Sequence, residues 1–198
     1  MRIILASASP RRKELLEQMN LQFEIIPAKG EEKMNFSLPH EVVMDLSRQK
    51  AKEIADEYQA KEDLEIIIGA DTVVACDEEI LGKPKDEADA YRMISLLSGR
   101  SHKVYTGVTL IIRKTGETLC HSFFDETEVF MYPMSEKEIE YYVNTKEPMD
   151  KAGGYGIQGK CAVFIEKIHG DYNNVVGLPI AKIYQELCKQ GIDIYTKS

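Results

Sequence analysis

The stretch EIIIGADTVVAC, residues 65–76, decides how this chain is read. Ile66, Ile67 and Ile68 make a short unbroken apolar run that stops at Gly69, the pattern of a strand buried inside a sheet. Thr72–Cys76 reads as a second extended piece, which sets Asp71 just beyond the first. In α/β sheets, ligands bind outside the carboxyl ends of the strands, so a carboxylate there has a chemical use. An Asp that merely caps a turn fits the same position, and its company has to separate the two.

Upstream, Arg2–Ala6 (RIILA) reads as a buried strand feeding a helix that opens in LASASPRRKEL, residues 5–15. Ser9 is the N-cap, with a hydroxyl acceptor for free N–H groups, and Pro10 brings a preset φ. Leu15, Leu16 and Met19 follow at helical spacing. The first turn carries Arg11, Arg12 and Lys13, and each cation there opposes the helix dipole by roughly 0.3–1 kcal/mol when exposed. An anionic ligand seated on this turn would reverse that cost.

Further elements follow from periodicity and punctuation. Gln22–Ile26 can form a strand, and His40–Tyr58 has helical spacing at Val42, Val43, Leu46, Ala51, Ile54 and Ala55. Asp86–Leu97 repeats it at Ala90, Met93, Ile94 and Leu97, with Gly99 as its stop. Lys103–Arg113 and Thr118–Met131 form a hairpin about a Lys114–Glu117 turn. Ser135 and Glu138 make a capping box for a helix through Val143. The loop DKAGGYGIQG (150–159) leads into a strand, CAVFIEKI. A second loop, GDYNNVVGLP (170–179), offers Asn173 and Asn174 as left-handed turn residues. It precedes a last helix, Ile180–Gln190, stopped by Gly191. Alternating strands and helices with one antiparallel hairpin predict an α/β fold: a mixed twisted sheet flanked by helices. One domain over residues 1–198, with two lobes around a central cleft, is the expected organisation.

A net charge of −8 argues against a general nucleic-acid binder, which needs a basic footprint. A local basic cluster in an acidic chain points instead to a small anion. No apolar run approaches the ~20 residues of a membrane span. The opening MRIILASA is too short for a signal-peptide core. Cys76, Cys120, Cys161 and Cys188 lie far apart with no metal-type spacing and are expected as reduced thiols, mostly in the core, as in a cytoplasmic protein.

Several other residues can serve a phosphorylated ligand. Lys83 in ILGKP could meet phosphate as a point charge. Lys50 in LSRQKAKE, taken alone, reads as part of a solvated helix face. Glu31 and Glu32 form an acidic pair in the irregular stretch KGEEKMNFSLP. With Asp71, one of them would suit Mg²⁺, which takes carboxylate oxygens together with phosphate and water. The glycines of DKAGGYGIQG allow close backbone approach, and Gln158 among them has a donor and an acceptor for a base edge. No phosphate-loop or dinucleotide fingerprint is present. His169 reads as structural, and no Ser–His–Asp set stands out.

Taken in order, SASPRR, GADTVV, GKP, DKAGGYGIQG and GDYNNVVGLP resemble the Maf family of nucleotide pyrophosphatases, related in fold to the inosine triphosphate pyrophosphatases. The resemblance runs from residue 5 to about residue 180. It implies hydrolysis of a nucleoside triphosphate between the α and β phosphates with a divalent cation, Mg²⁺ or Mn²⁺. On this sequence Asp71 matches the family's catalytic base. Ser7, Arg12, Glu32, Lys50 and Lys83 match positions used around phosphates and metal, with Glu32 and Asp71 toward the metal. Arg11, Thr72 and Gln158 match the branch that acts on dTTP and UTP, and modified pyrimidine nucleotides belong to the same class. A pyrimidine nucleoside triphosphate is the implied partner, and family members are often dimers, which admits a homodimer. Two other readings stand beside this one: a regulator of septum formation in cell division, and a purine pyrophosphatase acting on ITP or XTP.

Overall fold

The structure is a computed structural model that describes residues 1–60 and 62–195. In chain order it forms β1 (Arg2–Leu5), α1 (Pro10–Gln18), β2 (Glu24–Ile25), α2 (Pro39–Glu57), β3 (Leu64–Cys76), β4 (Glu79–Leu81) and α3 (Glu87–Leu97). Then come β5 (Ser101–Lys114), β6 (Glu117–Met131), α4 (Glu136–Asn144), β7 (Ile165–His169), α5 (Tyr172–Val176) and α6 (Ile180–Lys189). The chain divides into two compact units. One holds Met1–Asp71, Thr106–Asp125 and the chain from Gly177; the other holds Thr72–Tyr105 and Glu126–Val176. Three long neighbouring strands, in the order β3-β5-β6, contribute residues to both.

In the first unit β1 lies parallel to β2 and to the start of β3, with Ile4 opposite both Glu24 and Ile67. These parallel pairs and the β5–β6 hairpin make the sheet mixed. Its core joins Ile4, Ala6 and Ile67 to Ala51, Ile54 and Ala55 of α2 and Ile111 of β5. Helix α2 presses directly against the backbone of the strands where two of its neighbours lack side chains. A Cβ on Gly69 of β3 would lie 2.2 Å from the Ser47 carbonyl oxygen, and one on Gly107 of β5 would lie 2.3 Å from that of Val43. Buried Ser47 keeps its hydroxyl satisfied through Thr109 at 2.8 Å, which in turn meets Ser122 at 2.8 Å. Glu65, fully buried at the start of β3, is held by Arg2 at 2.7 Å and Arg113 at 3.1 Å. Burial of that carboxylate is sustainable only with such partners.

In the second unit the latter part of β3 pairs antiparallel with β4, Val74 opposite Leu81. β7 pairs antiparallel with the end of β6, Val129 opposite Ile168. Val74, Leu81, Ile94, Leu97, Val129, Tyr142 and Cys161 belong to one buried cluster.

The punctuation behaves as the sequence predicts. Ser9 accepts the Arg12 N–H, and Ser135 and Glu138 form a complete capping box. The helix expected from Asp86 opens there, and the structure adds a cap, the Asp86 side chain accepting the Asp89 N–H at 2.8 Å. Gly99, Gly116 and Gly191 take φ of 69°, 80° and 69° at the expected stops and turn. Four expectations are corrected. The two pieces of residues 65–76 are one strand, so Asp71 is inside β3 rather than beyond it. Gly-Ala-Asp looks like a break, but the glycine is there for α2 to press against. The CAVF run is a 3₁₀ segment (Lys160–Phe164), and only Ile165–His169 is strand. Tyr172–Val176 is a short helix in which neither Asn is left-handed; the positive φ falls instead on Gly170 and Gly177, at 137° and 122°. Cys76 and Cys161 are buried, whereas Cys120 and Cys188 are exposed.

Candidate active site

Six of the nine singled-out residues lie in the first unit: Ser7, Arg11, Arg12, Glu32, Lys50 and Asp71. Lys50, on α2, does not face solvent with Arg48. Its side chain is 16% exposed, and its ammonium stands 2.5 Å from Asp71 Oδ1 and 2.9 Å from Glu32 Oε1. Asp71 is nearly buried on β3, while Glu32 is half-exposed on the irregular segment before α2. One cation thus bridges two carboxylates that come from separate parts of the chain.

Arg12, in the first turn of α1, is placed by two bonds. Its Nε donates to the Gly177 carbonyl at 2.8 Å, and a terminal guanidinium nitrogen donates to Ser7 Oγ at 3.2 Å. Ser7, itself buried, also accepts the Ser9 N–H at 3.2 Å. Desolvation pushes the Arg12 pKa down; the charges of Asp71 and Glu32 push it up, and neighbouring Arg11 works against the cation. A guanidinium stays protonated under such opposing influences. Half-buried positive charge in the first turn of a helix, with two carboxylates acting on it, has the chemistry to receive an anion.

Among the described residues no group of three or more His, Cys, Asp or Glu side chains could hold a metal ion. Glu32 and Asp71 nonetheless suit Mg²⁺ or Mn²⁺, because their oxygens already converge on one cation. Mg²⁺ at phosphoryl-transfer sites takes one or two carboxylates and completes its octahedral shell with water and phosphate.

The other three residues, Thr72, Lys83 and Gln158, lie in the second unit. Lys83 and Gln158 are exposed, and the segments that carry them are tied to each other. The Gly153 N–H donates to the Gly82 carbonyl at 3.0 Å, and a Cβ on Gly154 would lie 3.3 Å from Pro84. Gly153 and Gly154 take φ of 66° and 72°, which explains their identity. Sequence reasoning missed the residue that closes this loop. Both carboxylate oxygens of Glu147 accept the Lys160 N–H, at 3.0 and 3.1 Å, and Tyr142 donates to the same group at 3.2 Å. Tyr142 also accepts the Gly156 N–H at 3.3 Å. No local pattern announces a bond between residues 13 positions apart.

Fold and geometry together define an α/β protein with a carboxylate pair and a half-buried arginine whose chemistry suits a phosphorylated ligand. Residues 2–190 match the family model described as Maf-like protein, and the chain belongs to that family. It is 57% identical to a dTTP/UTP pyrophosphatase of Agathobacter rectalis, covering 97% of this chain and 98% of that protein. It is 49% identical to a dTTP/UTP pyrophosphatase of Lachnoclostridium phytofermentans, covering 97% and 96%. A solved nucleoside-triphosphatase/dITP/XTP pyrophosphatase of Mycobacterium abscessus is 12% identical with a TM-score of 0.37, over 68% of this chain and 76% of that one. Among the described residues no helix is long and apolar enough to cross a membrane.

Proposed function

We propose that this protein hydrolyses dTTP and UTP to the nucleoside monophosphate and pyrophosphate. Relatives of that name, 57% and 49% identical over nearly the whole of both chains, support the reading. The observation that carries it is the pair Glu32–Asp71 joined through Lys50, with Arg12 under the charge of both.

Cleavage between the α and β phosphates needs a water aligned with the leaving pyrophosphate and compensation of charge on the phosphate oxygens. Asp71 orients that water and accepts its proton. Arg12 binds phosphate oxygens from a guanidinium aimed by Ser7 and the Gly177 carbonyl. Lys50 can turn its ammonium from the carboxylates to the triphosphate, and Lys83 adds a second point charge. Gln158 reads the pyrimidine edge, with Arg11 and Thr72 as the further residues of the dTTP/UTP branch. Mg²⁺ or Mn²⁺, held by Glu32 and Asp71, would neutralise charge on the phosphate oxygens. The homodimer rests on the family resemblance alone.

Pyrophosphate release measured over dTTP, UTP, CTP, ITP and dATP, with Mg²⁺ and with Mn²⁺, tests the reading. Highest rates with dTTP and UTP are expected. Leading rates with ITP would make this a purine enzyme, and silence across the panel would favour the septum regulator.

A further inference from the structure

Glu32 belongs to a segment with almost nothing to pack against: every residue from Lys29 to Leu38 is exposed. What holds it is a row of polar side chains on α2. Asp45, Gln49 and Glu53 recur at intervals of four, so they line one face of the helix. Each meets the segment, in reverse order along the chain. Asp45 accepts from the Asn35 side chain at 2.8 Å. Gln49 pairs with the Lys33 backbone both ways, accepting its N–H at 3.0 Å and donating to its carbonyl at 2.8 Å. Glu53 accepts the N–H groups of Lys29 at 2.6 Å and Gly30 at 3.0 Å. A further bond from Gln49 to Asp45, at 2.8 Å, joins two of these contacts. The absence of a side chain on Gly30 leaves room for this contact, since a Cβ there would lie 2.7 Å from Glu53 Oε2 and the carboxylate would have to turn aside.

We infer that Gln49, flanked by Asp45 and Glu53, is a positioning residue that presents Glu32 to the metal. The Gln49 and Glu53 contacts fall on either side of Glu32, at Lys33 and Gly30, so its backbone is clipped at both ends. Lys50, next to Gln49 in the helix, meets the Glu32 carboxylate between those clips. The same helix therefore fixes the carboxylate's backbone and its charge partner. Groups that orient a metal ligand without touching the metal typically govern affinity by about 10–100-fold. The inference rests on the reading of Glu32 as a metal ligand.

The test is Mn²⁺ binding by EPR titration, with the α,β-imido analogue of UTP present, on the parental protein and on Gln49→Ala, Glu53→Ala and Glu32→Gln. Gln49→Ala is expected to weaken Mn²⁺ binding about 10-fold or more. Its Tm should stay near the parental value, and its nucleotide KM should be unchanged at saturating Mn²⁺. Lost turnover should return as Mn²⁺ is raised, which a general loosening of the fold would not produce. Glu53→Ala should shift Mn²⁺ affinity in the same direction, and it decides the matter should Gln49→Ala fail to fold. Parental Mn²⁺ affinity in both variants, with Glu32→Gln weakened, would overturn the positioning role alone. Parental affinity in Glu32→Gln would overturn the ligand reading and this inference together.

Discussion

Lys50 Nζ stands 2.5 Å from Asp71 Oδ1, a bond between a helix and a strand across 21 positions of sequence. It exists because Gly69, two residues before Asp71, lets α2 settle on β3 without a side chain between them. Backbone closeness here sets side-chain chemistry.

Asp71→Asn keeps the shape of the side chain and a partner for Lys50 but removes the proposed base. Turnover should fall by roughly 10²–10⁴-fold, the usual size of a general-base contribution. Thermal unfolding should be nearly unchanged. Pyrophosphate-release kinetics and a melting curve on the same preparation check both halves, and a loss under ~10-fold would assign the base elsewhere.

Arg12→Ala removes the guanidinium that bridges Ser7 and the Gly177 carbonyl. Bonds to charged groups are worth about 1.5–3 kcal/mol, so kcat/KM should drop roughly 10–100-fold. Arg12→Lys should recover only part of it, because an ammonium lacks the planar fork that serves several acceptors at once. Unaltered steady-state kinetics in Arg12→Ala would remove the first turn of α1 from the substrate site.

Gly69→Ala adds one methyl group where the Ser47 carbonyl lies 2.2 Å away and the Ala51 nitrogen 2.8 Å away. Neither backbone atom can yield without moving α2, so a stability loss of about 1–3 kcal/mol is expected, as for an overfilled core. Lys50 moves with the helix, so activity should fall too. Gly82→Ala is the control: no heavy atom lies within 4 Å of the added Cβ, and its urea midpoint should match the parental one.

His102 and Tyr155 form a buried pair at 2.6 Å, and burial lowers the His102 pKa to about 4. An exposed histidine titrates near about 6.5. Between those values the unfolded chain binds a proton that the folded chain does not, so stability falls as pH drops from 6.5 toward 4. Above 6.5 both states are neutral and the contribution is whole. The cost accumulated by pH 4 is on the order of 3 kcal/mol. His102→Asn should flatten this part of the urea-derived stability curve; a curve parallel to the parental one would place the loss in other groups.

Helix boundaries were legible because their causes are local. Ser9 with Pro10, Asp86, and Ser135 with Glu138 satisfy free N–H groups within three residues, and glycines at 99 and 191 end helices by a φ that other residues avoid. The hairpin was legible from alternation around Gly116 for the same reason. Continuity of β3 was not, since Gly69 looks like a break until α2 is seen against it. Nor were the 3₁₀ turn at CAVF or the helix at Tyr172–Val176, short elements whose weak local preferences leave the choice to their surroundings.

The chemical types of the site residues and the order of their motifs are properties of the sequence alone. That Lys50 would bridge Glu32 and Asp71, that Arg12 would lean on the Gly177 carbonyl, and that Gln49 would hold the segment carrying Glu32 are matters of contact between distant parts of the chain. Capping and backbone preference act over three or four residues, so composition and spacing carry them to the reader. Bonds that span 16 to 165 positions depend on how closely helix and sheet approach, and that distance is set only when the core packs.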